Sequence, residues 1–142
     1  MSSLNDKWDL WYHNINDSDW SINGYKNLLT IETLDDYFLP YTYLKQNTIE
    51  NSMLFIMRKN IKPMWEDESN KDGGCISFKY PKNNIYNVWN DFAMNLLGEN
   101  FLNIEDKKMI NGISLSPKKN FCIIKIWIKN KEQDKKIFNK LE

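Results

Sequence analysis

Trp65 and Glu66 stand together in the stretch Ile61-Lys62-Pro63-Met64-Trp65-Glu66-Asp67-Glu68-Ser69-Asn70-Lys71-Asp72-Gly73-Gly74, where one indole precedes three consecutive carboxylates. The indole offers a flat apolar face, and a carboxylate accepts N–H donors from the edge of a ring, so the pair suits a planar ligand. The competing reading is a solvated acidic turn with one anchoring tryptophan, and residue chemistry alone leaves both open. Pro63 restricts the approach to the segment, and Gly73-Gly74 closes it before a new apolar run. A second indole, Trp20, lies in a polar stretch rich in Asn, Asp and Ser, where it either tucks back onto the core or waits for a partner. Should the two indoles meet, their partner would be a planar, preferably cationic ring carrying phosphates. Stacking contributes about 1–3 kcal/mol per base, and a positive ring charge adds roughly 0.5–2 kcal/mol. A carboxylate that accepts two N–H donors fits the edge of guanine and meets a mismatched acceptor on adenine. Lysines would meet the phosphates and make binding salt-dependent.

Catalytic constellations are thin by comparison. The single histidine, His13, has no serine or cysteine elbow around it, so it reads as solvent-facing or locally satisfied rather than as a general base. Asp67 and Glu68 could be imagined as a hydrolase pair, but a flexible acidic loop rarely fixes one. Gly73-Gly74 lacks the lysine and hydroxyl residue of a phosphate loop. Cys75 and Cys122 form no metal-ligand spacing, and reduced thiols in an intracellular protein are the expectation. A binding module accounts for more of the unusual residues than an enzyme does.

The whole chain narrows the choice less. Its 19 basic and 19 acidic residues cancel, so bulk charge does not announce a nucleic-acid binder. The distribution is uneven: residues 1–50 carry three lysines against eight acids, whereas Lys107 to Lys131 carries seven lysines and no acid. Six tryptophans exceed what a small core needs. Neither a leader pattern nor a run long enough to cross a bilayer is legible. The 142 residues fit one domain, 1–142.

The elements that must position these residues follow from periodicity. Aromatic content predicts a strand over Trp8 to Ile15, with Trp8, Leu10 and Tyr12 on one side and Trp11 on the other. A polar loop from Asn14 to Asn23 carries Trp20, and Tyr25 to Ile31 reads as the next strand. A short helix begins at Thr33, with Asp36 in a capping position, and continues through Tyr37, Phe38 and Tyr41, with Pro40 limiting its extent. Strands follow over Ser52 to Arg58 and Gly74 to Tyr80. Asn83 or Asn84 caps a helix whose stripe is Ile85, Val88, Trp89, Phe92, Leu96 and Leu97, stopped at Gly98. Trp89 is thereby assigned to the core. Met109 to Ser116 and Phe121 to Lys129 form a hairpin around Pro117-Lys118-Lys119-Asn120. In its second strand Ile123, Lys125 and Trp127 share one face, while Cys122, Ile124, Ile126 and Ile128 form an apolar face toward the helices. A last amphipathic helix carries Ile137, Phe138 and Leu141. The order predicts an α+β domain, a mostly antiparallel sheet with about three helices on one face.

Four ordered motifs carry a resemblance over essentially the whole chain. Trp8-Asp9-Leu10-Trp11-Tyr12, the block from Ile61 to Gly74, Trp89 through Leu97-Gly98-Glu99, and Ile124-Lys125-Ile126-Trp127 resemble the eukaryotic translation initiation factors that bind the mRNA 5′ cap. The resemblance implies a curved sheet, like a cupped hand, backed on its convex face by three helices. It implies that Trp20 and Trp65 sandwich 7-methylguanine, and that Glu66 accepts from N1 and N2 while its backbone N–H meets O6. Trp127 would lie against the N7-methyl group. The ligand would be the 7-methylguanosine cap, with no cofactor and no metal.

At the phosphate end the sequence departs from the family. Lys118 or Lys119 can supply one basic residue, but Ile123 occupies the position of another, and Cys75 replaces an arginine often found after Gly-Gly. Lys125, on the same face, is the substitute expected here, with weaker or rearranged phosphate holding. The family's convex side takes a short helical peptide, with a tyrosine and leucines, from an initiation scaffold or repressor. The matching positions are Leu34, Phe38, Asn90, Asp91, Met94 and Gly98, with Phe38 where the family has tryptophan. The family's further strand and loop after the third helix have no counterpart, so the chain reads as a divergent member or one shortened at its C-terminus. The expected function is to bind capped mRNA and bring it to initiation. The alternatives are a cap-binding repressor, or an interaction domain with reduced cap binding; a cap-cleaving enzyme lacks the required constellation. The resemblance implies a monomer in the cytoplasm, with the nucleus as a second compartment and no membrane association.

Overall fold

The computed structural model describes residues 3–38, 52–101 and 107–130, with the side chain of Lys107 excepted. Six strands, β1 (Ser3–His13), β2 (Tyr25–Thr33), β3 (Met53–Arg58), β4 (Gly74–Pro81), β5 (Ile110–Pro117) and β6 (Phe121–Ile128), form one sheet in the order β2-β1-β3-β5-β6-β4. Every neighbouring pair is antiparallel. Two α-helices stand among the described residues, α1 (Leu34–Phe38) and α2 (Ile85–Leu97). The α+β class is as expected from the sequence. The helix count among the described residues is lower, because the helix anticipated near Ile137 lies outside them, as do Pro40 and Tyr41, expected in the first helix. None of the described helices is long and apolar enough to cross a membrane.

Strand periodicity divides the molecule into two apolar layers. On the helix side, Trp8 and Leu10 of β1, Leu54 and Ile56 of β3, Ile113 and Leu115 of β5, and Cys122, Ile124 and Ile126 of β6 pack with Trp89, Ala93 and Leu96 of α2. Trp89 is fully buried, as its place on the helical stripe requires. The alternate residues Phe55, Met57 and Trp127 form a second, smaller cluster on the opposite face, joined by Trp11, Tyr25, Met53 and Ile61. This explains why β3 is apolar throughout. It is a central strand covered on both faces.

The two helices begin differently, α1 with side-chain caps and α2 without one. The Thr33 backbone N–H donates to Asp36 Oδ2 at 3.0 Å, and the Asp36 N–H donates back to Thr33 Oγ1 at 3.3 Å. These bonds hold the Asp36 carboxyl below its usual range, the Glu32 N–H contributing most and the Thr33 N–H next. At the start of α2, Asn84 occupies the cap position without a side-chain cap bond, and a single 3-10 turn over Lys82–Asn84 leads into the helix. The stop at Gly98 also differs in detail from the expectation. Gly98 remains right-handed at φ −81, and the left-handed turn falls on Glu99 at φ 52. A non-glycine residue holds that conformation because its carboxylate is anchored: Arg58 lies 2.7 Å from Oε1, and Asn5 Nδ2 donates to Oε2 at 2.6 Å.

Candidate functional site

Two loops emerge on the face opposite the helices, and each is fixed locally. The loop from Lys59 to Gly73 carries Trp65, and its acidic composition is not a sign of flexibility. Asp67 accepts from the backbone N–H groups of Lys62 and Ser69, both at 2.8 Å. Buried Asn70 donates to the carbonyls of Lys62 and Met64 at 2.9 Å, and Asn111 of β5 donates to Ser69 O and Asn70 Oδ1. Gly73 brings the loop back against β6 so closely that a Cβ there would lie 1.9 Å from the Ile128 carbonyl oxygen. Of the three consecutive acids, Asp67 thus ties the loop, and exposed Glu68 pairs with Lys71 at 3.0 Å. That leaves Glu66, exposed at the rim, for a ligand.

The Trp20 loop is shorter and folds on itself. Asp19 lies between two turns, its Oδ1 accepting from Ser21 N at 2.9 Å while its N–H donates to Asp17 Oδ1 at 2.8 Å. The Ser21 hydroxyl and N–H hold the Asp19 carboxyl below the usual carboxylate range. Gly24 permits the return to β2, since a Cβ there would strike the Asp19 carbonyl oxygen at 1.8 Å. Trp20 both tucks back and presents itself. One face lies on the His13 ring, with centroids 4.0 Å apart and planes 4° from parallel, and the residue is still 51% exposed.

Between the loops is a cavity of about 230 Å³ lined by Trp20, Trp65, Glu66, Trp127 and Lys125, together with Tyr25, Met53, Phe55, Pro63, Met64, Ser114 and Ser116. Its volume fits a flat bicyclic ring better than a drug-sized ligand, for which roughly 300–1,000 Å³ is usual. All four residues expected at the base-binding end line this one space. Trp65, 42% exposed, lies flat on Trp127 at 4.4 Å and 10°, so Trp127 is only 4% exposed. A ligand that touches the Trp127 ring must first displace that stack, which is worth about 0.5–1.5 kcal/mol. The Trp127 Nε1–H donates to Ser114 Oγ at 3.0 Å, which fixes the ring and leaves the serine hydroxyl proton free to donate. Burial, and then the nearby Glu66 charge, raise the Tyr25 phenol above its ordinary value.

The three lysines expected at the phosphate end separate. Lys125 lines the cavity beside Ser114 and Ser116, while Lys118 and Lys119 are exposed at the β5–β6 turn, outside its lining. The Lys118 backbone N–H closes that turn on the Phe121 carbonyl at 2.7 Å. Cys75 is paired across the sheet with Trp127, and Ser77 with Lys125, so Cys75 occupies the strand position beside the cavity's tryptophan. On the helical face, Leu34 and Phe38 are exposed, one helical turn apart on α1. The Tyr37 hydroxyl donates to Asn90 Oδ1 at 2.6 Å, joining α1 to α2. Asn90 is therefore half-buried and engaged within the fold, Met94 is half-buried one turn further on, and Asp91 and Gly98 are exposed.

Several lining residues were not singled out from the sequence. Ser114 and Ser116 alternate with buried Ile113 and Leu115, a polar-apolar period that was available. Phe55 was hidden in a uniformly apolar strand. Tyr25 had no local signal, because its place depends on the register that sets it opposite His13. Among the described residues, no cluster of His, Cys, Asp and Glu could hold a metal ion.

The family model described as eukaryotic initiation factor 4E matches residues 3–142. An initiation factor 4E homolog from Acanthamoeba polyphaga mimivirus is 34% identical over 107 residues, covering 65% of this chain and 39% of that protein. The Dictyostelium discoideum factor is 28% identical over 139 residues, 93% of this chain and 54% of its own length. The chain thus spans about half the length of these curated relatives. Among solved structures, C. elegans eIF4E-3, in complex with the 4E-binding protein Mextli and a cap analog, superposes with a TM-score of 0.84 at 21% identity, covering 97% of this chain and 79% of that one. A schistosome factor complexed with m7GpppG and 4E-BP gives 0.85 at 19% identity, covering 96% and 76%. At such identities the superpositions speak to the fold alone, a curved antiparallel sheet backed by helices. With the family's model matched almost from end to end by a chain of that architecture, this protein belongs to the eukaryotic initiation factor 4E family.

Proposed function

We propose that the cavity is a slot for the 7-methylguanosine cap of mRNA, and that the chain is a single binding domain over residues 1–142 rather than an enzyme. The observation that carries this reading is the convergence of Trp20, Trp65, Glu66 and Trp127 on one base-sized cavity. Trp20 and Trp65 supply faces for a cationic ring, and Glu66, with no hydrogen bond or ion pair to another described residue, accepts the N1 and N2 protons of guanine. Lys125, with Ser114 and Ser116 beside it, takes the first phosphates, and Lys118 and Lys119 meet only the outer ones. The test is quenching of tryptophan fluorescence by 7-methyl-GTP and GTP at two salt concentrations. Tighter binding of the methylated nucleotide, by roughly 2- to 30-fold, is expected, since the ring charge adds about 0.5–2 kcal/mol. Its affinity should fall with salt, and Lys125→Ala should flatten that slope. Equal affinity for the two nucleotides would overturn the assignment.

The domain then brings capped mRNA to initiation as a monomer, through a scaffold or repressor peptide held by Leu34, Phe38, Asp91 and Met94. The support is the exposure of Leu34 and Phe38 on a helix locked to α2 through Tyr37 and Asn90. Phe38→Ala combined with Met94→Ala should weaken a tyrosine- and leucine-bearing helical peptide about tenfold or more by calorimetry. An unchanged affinity would place the peptide elsewhere. Whether such a partner activates or represses is read by which class of peptide the domain retains in a pull-down.

A further inference from the structure

We propose that His13 is the positioning residue of the Trp20 face, a doubly protonated ring that fastens the Trp20 loop to the sheet; this rests on the reading of the cavity as a cap slot. His13 is the last residue of β1, fully buried, and paired with Tyr25 of β2 and Met53 of β3. Its Nδ1 lies 2.8 Å from the Asn14 carbonyl oxygen and its Nε2 lies 3.0 Å from the Asp19 carbonyl oxygen. These two carbonyls bracket the loop, one at its start and one immediately before Trp20. The loop's other bonds, from Asn16 to Asn14 and among Asp17, Asp19 and Ser21, close on the loop itself. The His13 ring therefore fixes the loop to the sheet, and it also forms the floor on which the indole lies.

A neutral imidazole has one N–H and one lone pair, whereas both atoms facing His13 are carbonyl oxygens that only accept. Both contacts are hydrogen bonds only in the imidazolium form. The titratable groups packed on the ring are Asp19 from the loop and Tyr25 from β2, whose ring centroid lies 4.8 Å from that of His13. Asp19 is held ionised by Ser21, with the His13 charge a smaller contribution, and Tyr25 is held neutral by burial and by Glu66. Met53, from β3, does not titrate. Of these groups, His13 is the one on whose two ring protons both contacts depend. Deprotonation turns one of the two bonds into a repulsive contact and loosens the loop that carries Trp20. The imidazolium also repels a cationic base on the opposite indole face, which works against this trend without removing it.

The chain has one histidine, so every histidine signal reports this site. In the ligand-free protein, nitrogen-15 NMR of the ring should show both nitrogens protonated at pH 5.5, and a pH series locates the loss of one proton. His13→Phe keeps a stacking ring and discards both hydrogen bonds; it should bind 7-methyl-GTP about tenfold more weakly than wild type at pH 5.5. The ratio of wild-type to His13→Phe affinity should fall where that series shows the ring proton lost, and the ligand's own titration cancels in that ratio. A singly protonated ring throughout, a His13→Phe protein that binds like wild type, or a ratio that stays flat or rises would each overturn the proposal. If wild type bound no cap analogue, the slot reading would fail, and the ring-nitrogen spectrum would still decide whether the clamp exists.

Discussion

Replacing Trp65 by alanine should weaken 7-methyl-GTP binding by roughly 40-fold while leaving the fold intact. The stack contributes about 1–3 kcal/mol and the ring charge roughly 0.5–2 kcal/mol, while the Trp65–Trp127 contact that the ligand must displace offsets about 0.5–1.5 kcal/mol. The mid-range values of these terms net to about 2.3 kcal/mol, which corresponds to that factor at 1.4 kcal/mol per decade. Trp20→Ala should cost a similar amount for the same reason, with its covered face against His13 unavailable to the ligand. Both side chains are about half exposed, so urea unfolding of either variant should match wild type to within about 1 kcal/mol. Trp89→Ala is the contrasting control: it empties a fully buried site and should destabilise by about 3–5 kcal/mol. Calorimetric titration of the two loop variants checks the slot directly. Full affinity in either would show that the base does not lie between these rings.

The second large effect is on stability and is centred on Arg58. Its guanidinium donates from Nε to the Ile110 carbonyl at 2.8 Å and from Nη1 to Asp6 at 2.9 Å, pairs with Glu99 at 2.7 Å, and lies 4.4 Å from the Trp8 ring centroid. Arg58 and Glu99 are both almost completely covered, so removing Arg58 strands the Glu99 carboxylate, and removing Glu99 leaves partly exposed Asp6 to hold the guanidinium. Glu99→Ala should cost about 3–5 kcal/mol, against about 0–1 kcal/mol for Glu32→Ala in the exposed Lys7–Glu32 pair. Glu99→Ala also releases the anchor of the left-handed turn after α2. Chemical unfolding checks this, and a loss below about 1 kcal/mol would show that the cluster is solvated in solution. The network also has an acid edge. Burial alone would raise the Asp6 carboxyl, but the Lys7 N–H, the Arg58 hydrogen bond and the Arg58 and Lys108 charges together hold it below the usual value. A depressed folded-state value means that this contribution is fully present above the unfolded aspartate value of about 3.9 and is lost as pH falls through the lower folded one.

What the sequence determined by itself was periodicity and chemistry that repeat over short distances. The alternation of β6 assigned Cys122, Ile124, Ile126 and Ile128 to the helix side, with Lys125 and Trp127 opposite; the stripe of α2 placed Trp89 in the core. The resemblance added the family and the four residues of the base end, which the fold brings to one cavity. Tertiary structure alone decided how the loops are held and which charges are free. Three adjacent acids are indistinguishable as letters, yet Asp67 closes the loop, Glu68 pairs with Lys71, and Glu66 faces the cavity. His13 read as an isolated histidine because its partners are two carbonyls and an indole that only the loop's return brings near. Arg58 ended an apolar strand without apparent company, since Asp6, Glu99 and Ile110 come from three other segments. Side-chain period is a property of neighbouring residues along one element and can be read directly. Hydrogen-bond partners and buried charges are pairings across the fold, and they exist only once the register of the sheet has been set.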